Sequence, residues 1–76
     1  MIAHQGQIWI ERVGGNCIVL RELVGGIESM WIGDYYAGPI GDHATYNIEE
    51  RNFIRKTTVK ESELFELWLP FPGPRQ

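Results

Sequence analysis

The sequence predicts one small, mostly-β domain of five short strands, and three observations predict it. The chain has 76 residues, which allows a single domain spanning residues 1–76. Runs of β-branched and aromatic residues recur along it, a composition that suits a pleated, half-buried surface. Paired glycines, Gly14-Gly15 and Gly25-Gly26, punctuate those runs at the spacing of hairpin turns. Stability must come from the core. Cys17 is the single cysteine, so neither an intrachain disulfide nor a cysteine cluster for zinc can form. Three Trp, three Tyr and three Phe bring the large areas such a core needs.

Residues 7–13 make the first strand, with Ile8, Trp9, Ile10 and Val13. Gly14, Gly15 and Asn16 tolerate positive φ and turn the chain into a second strand over residues 17–24. After Gly25-Gly26, residues 27–36 form the third strand, so the first half of the chain reads as a meander. Gly38, Pro39 and Gly41 forbid a regular element over residues 37–43. Residues 44–48 are a fourth strand, residues 49–53 one helical turn, and residues 54–59 a fifth strand. A short helix is predicted over residues 60–69. Ser62 can cap it, Glu61 and Glu63 suit the positive end of its dipole, and Leu64, Phe65, Leu67, Trp68 and Leu69 give it an apolar face. Pro70 stops it and, with Pro72 and Pro74, makes residues 70–76 an extended tail. Ile8, Trp9 and Ile10 are apolar on both pleats, so both sides of the first strand should be covered, with Leu64, Phe65, Trp68 and Phe71 as the cover.

Several function classes are disfavoured. Nothing approaches the roughly 18 apolar residues of a membrane span, and the N-terminus lacks the basic start and long apolar run of a secretory signal. A single cysteine fits a reducing, cytoplasmic setting. Net charge is −3, against the cationic excess that phosphate binding requires. No His-x-His or Cys-x-x-Cys spacing marks a metal site, and Asp34, Asp42, His43 and Glu49 read as surface groups. Five short strands leave little interior beyond their own side chains. The expectation is a chain with no catalytic residues, no metal and no cofactor.

Three pieces of the sequence carry a resemblance: Gly6-Gln7-Ile8-Trp9 at the opening, Gly14-Gly15 at the first hairpin, and Glu50-Arg51-Asn52-Phe53-Ile54 before the fifth strand. In this pattern the chain resembles small SH3-like β-barrel proteins encoded by phages and prophages, over residues 6–59. The resemblance implies a five-stranded SH3-like barrel, followed here by the helix over 60–69 and the tail over 70–76. It also implies a phage-like origin and a host cytoplasm. It implies no reaction and no fixed ligand.

The charge layout supplies the candidate surfaces. Between Glu22 and Glu50 there is no Lys or Arg, while Glu28, Asp34, Asp42 and Glu49 lie among Trp31, Tyr35, Tyr36 and Tyr46. Such acids also serve simply to keep a protein soluble. Read as a site, Trp31, Asp34, Tyr35, Tyr36, Asp42 and Tyr46 form an acidic, aromatic face for a protein partner with a basic surface, as in a phage-encoded modulator or inhibitor of a host complex. An alternative is nucleic-acid binding through the basic run of Arg51, Arg55, Lys56 and Lys60. A further alternative is a structural protein that self-associates through residues 61–76.

Overall fold

The first three apolar runs pair in sequence across the short glycine turns between them. The computed structural model describes residues 3–37 and 52–71. Its elements in chain order are β1 (Ile8–Glu11), β2 (Cys17–Val24), β3 (Met30–Tyr36), β4 (Phe53–Lys60), α1 (Glu61–Leu67) and β5 (Trp68–Pro70). The strands form one antiparallel sheet in the order β4-β3-β2-β1-β5. The first hairpin closes where the Glu11 N–H donates to the Asn16 carbonyl at 2.8 Å. Gly14 and Gly15 stand at φ 95° and 79° inside that turn, values a side chain would strain. Arg12 and Val13 therefore belong to the turn, and β1 is shorter than the predicted 7–13.

β2 and β3 press together at Gly33. A Cβ there would lie 2.6 Å from the Val19 carbonyl oxygen and 2.7 Å from an Ile18 side-chain carbon, so only glycine permits this approach. One extra residue, Arg21, bulges from β2 between Leu20 and Glu22.

The expected closed barrel is not formed. Among the described residues the sheet is open, with β4 and β5 as its two margins. The predicted fifth strand is β4. The predicted fourth strand over 44–48, the loop beyond Ala37 and the helical turn up to Arg51 lie outside the described residues. α1 starts at Glu61 directly from the end of β4, so Ser62 lies inside the helix and does not cap it. The Lys60 N–H is instead taken up by the Glu63 carboxylate at 3.3 Å, the returning arm of a capping box. The helix ends at Leu67, two residues early, because the chain becomes extended at Trp68 and pairs with β1: Trp9 with Pro70, Ile10 with Leu69, Glu11 with Trp68. A proline at the end of an outer strand leaves no ladder bond unmade. Extended backbone continues to Phe71, whose N–H donates to the Ile8 carbonyl at 2.8 Å, and the remaining tail residues lie outside the described residues.

The core sits on one face of the sheet. Trp9, Ile18, Leu20, Trp31, Val59 and Trp68 project there together, joined by Ala3 and by Leu64 from α1. Leu64 is fully buried, a contribution of about 1.5–3 kcal/mol. The Phe65 ring centroid lies 5.7 Å from that of Trp9. The C-terminal segment is thus the cover of this face. The opposite pleat is apolar too, with Cys17 and Val19 buried and Ile8 and Ile10 half-buried. No helix among the described residues is long and apolar enough to cross a membrane.

Candidate functional site

The strand period divides the expected acidic, aromatic face between the two sides of the sheet. Trp31 sits opposite Leu23 and Val59 on the side that α1 covers. It is 3% exposed, and its indole N–H donates to Glu61 Oε2 at 3.2 Å. It is a core residue and does not face outward. Tyr35 shares that side and is half-buried. Its ring meets Trp68 edge-on at 6.1 Å, and its hydroxyl accepts from Asn16 Nδ2 at 2.9 Å.

Asp34 and Tyr36 take the other side. Tyr36 packs edge-on against Phe53, with centroids 5.7 Å apart. Asp34 is the centre of a ladder across three strands: it accepts from Arg21 Nε on β2 at 2.8 Å and from Lys56 Nζ on β4 at 2.9 Å. Its side chain is only 13% exposed. The hydrogen bonds from Lys56 and then Arg21 hold its carboxyl below the ordinary range, and Asp34 in turn raises Arg21. Two cations on one carboxylate make this a positive, not a negative, point on the surface. Asp42 and Tyr46 lie outside the described residues. Of the described contact residues, Trp31 and Tyr35 lie on one side of the sheet and Asp34 and Tyr36 on the other.

The basic run is divided in the same way. Arg55 lies opposite Tyr35 with its guanidinium carbon 4.7 Å from the ring centroid, a cation–π contact. Lys56 and Lys60 point to the other side, where Lys56 binds Asp34 and Lys60 lies 3.7 Å from Glu28. Arg51 is outside the described residues. Among the described residues there is no group of three or more His, Cys, Asp or Glu that could hold a metal ion.

What the sequence pattern missed is an apolar end. Val13 is 87% exposed at the tip of the first turn, and Leu67, which lines a cavity with it, is exposed too. Glu11, Arg12, Val13, Leu67 and Trp68 line a shallow cavity of about 300 Å³. The cavity is built by the crossing of turn and helix end, where the Arg12 N–H donates to the Leu67 carbonyl at 3.0 Å and Arg12 Nη2 reaches the Phe65 carbonyl at 3.5 Å. Val13 had a strand signature, and only the φ demands of Gly14 and Gly15 move it into the turn.

No family model matches the chain, and no curated protein or solved structure matches it.

Proposed function

We propose that this chain is a non-catalytic protein-binding module whose contact surface is the apolar end around Val13 and Leu67. The observation that carries the reading is Val13, an aliphatic side chain held in water by a rigid turn beside a side-chain-sized cavity. Apolar groups clustered beside a pocket are what a partner's aliphatic or aromatic anchor fits, and they are rare on surfaces that contact nothing. Glu11 and Arg12 at the rim supply polar contacts that fix orientation.

The strand order β4-β3-β2-β1-β5, with a helical segment between β4 and β5, supports an SH3-like reading of the scaffold. The nucleic-acid reading is weaker, because two of its cations are paired with carboxylates and its described cations lie on two sides of the sheet. Self-association through residues 61–76 is also weaker, because α1 and β5 are packed on their own sheet.

The test compares Val13→Asp with the unaltered chain in affinity capture and in direct titration of each captured protein. Losing a central anchor of about 2 kcal/mol should weaken binding about 30-fold. The melting curve should be unchanged, since Val13 packs on little. Equal binding by both chains overturns the reading.

A further inference from the structure

β2 is longer than the strand beside it. β1 pairs with Cys17, Ile18 and Val19, and the contact extends to Leu20, whose N–H donates to the Gln7 carbonyl at 2.9 Å and whose carbonyl accepts from the Gly6 N–H at 2.7 Å. At Gly6 a φ of 86° turns the chain away from the sheet. Beyond that point Glu22, Leu23 and Val24 keep β3 on one side and have no strand on the other among the described residues. Backbone groups alternate along a strand, and the bulge at Arg21 shifts the alternation by one. Leu20 directs its N–H and C=O toward β1, so the next residue to direct both to that side is Leu23.

The margins of the sheet are guarded unequally. β4 carries Arg55, Lys56 and Lys60, and β5 ends in Pro70, the residue types that discourage strand addition. The Arg21–Val24 margin has no proline, and its one cation is tied to Asp34. All four of its residues are exposed, as is Ile27 at the hairpin tip. Leu23 and Val24 lie on opposite pleats, and Glu22 beside them has no ion-pair partner among the described residues.

We propose that Arg21–Val24 accepts an extended segment of a partner protein as an added strand, with an apolar residue beside Leu23 and a lysine or arginine beside Glu22. Main-chain hydrogen bonds at Leu23 hold such a segment, and the side chains select it. Charge decides the occupant. A second copy paired about Leu23 would set Glu22 beside its Val24 and leave the carboxylate without a cation. The inference rests on the protein-binding reading but uses the opposite end of the first hairpin from Val13.

The probe is a synthetic peptide of alternating valine and lysine, compared with its valine–glutamate counterpart, titrated into the full ¹⁵N-labelled chain. The lysine peptide should shift the amide resonances of residues 21–25 and slow hydrogen exchange at Leu23. Glu22→Lys should weaken that binding at least ten-fold and reverse the preference between the two peptides, while Val13→Asp leaves it unchanged. Equal affinity for both peptides, no protection at Leu23, or protection of Leu23 by dimerisation without peptide overturns the proposal. If the peptides fail while capture still depends on Val13, the added strand alone is wrong. If the peptides bind as expected and affinity capture by Val13→Asp equals that by the unaltered chain, the apolar end is wrong.

Discussion

The two halves of β2 end alike, on Val19-Leu20 and on Leu23-Val24, but stand in opposite surroundings. Cys17, Ile18, Val19 and Leu20 are all buried, whereas Arg21, Glu22, Leu23 and Val24 are all exposed. Each half ends on aliphatic residues. The first half lies between β1 and β3, with the core on its inner face. The second half has β3 alone. For the aliphatic residues of the two halves, burial follows the number of flanking strands, and this leaves Leu23 and Val24 exposed at one end.

Leu20 and Leu23 sharpen the contrast most. Leu20 is fully buried, and Leu20→Ala should cost about 2–5 kcal/mol in chemical denaturation. That is a large share of the total of roughly 4–11 kcal/mol that a chain of this length commands. Leu23 is 49% exposed, and Leu23→Ala should cost about 1 kcal/mol or less. Similar losses at both positions would break the comparison.

Glycine substitutions give the next largest effect. Gly33→Ala forces a Cβ against the Val19 backbone and Ile18, and overpacking of this kind costs about 1–3 kcal/mol. Gly25 has open space around its Cβ position, and Gly25→Ala should be close to neutral. A well-tolerated Gly33→Ala would mean that β2 and β3 are less tightly apposed than the register requires.

Asp34 ties the start of the exposed half to β3 and β4, and gives the smallest effect. Asp34→Asn removes its pairing with Arg21 and Lys56 and should cost about 1 kcal/mol at neutral pH. The carboxyl is held below its unfolded value. Its contribution is therefore complete above about pH 4 and disappears as the pH falls through the depressed folded value. Denaturation at pH 7 and pH 2 should show a smaller acid loss in Asp34→Asn than in the unaltered chain. An identical loss would place the acid sensitivity elsewhere.

Much of the sheet was legible. The paired glycines and the β-branched runs located β2 and the strand over 54–59 to within a residue at either end. Period two puts neighbours such as Arg55 and Lys56 on opposite sides of a strand. It says which residues share a side, but not which side is covered. That choice for Trp31 was made by α1, which follows β4 and lays Leu64 and Glu61 over it. Trp68 and Leu69 were read as a helix end, with Pro70 as its stop, because two residues satisfy a helical and a strand period equally, and only pairing with Ile10 and Glu11 separates them. Ser62 was read as a cap because serine is a favoured residue type at a helix start. β4 runs straight into α1, which leaves Lys60 as the boundary. The cavity beside Val13 had no sequence signal, since it arises where a turn meets a helix end far along the chain.

The pairing of Trp9 with Pro70 joins distant parts of the chain, and this has a consequence for biosynthesis. At about 5–20 residues per second, Pro70 is polymerised about 3–12 s after Trp9. Contacts of such long sequence separation are also the slow ones to form once both halves exist. Once β2 has been made, the outer flank of β1 has no strand to pair with until β5 follows. Until Pro70 has been made and paired, that flank is an open strand edge, the kind of surface on which other chains add.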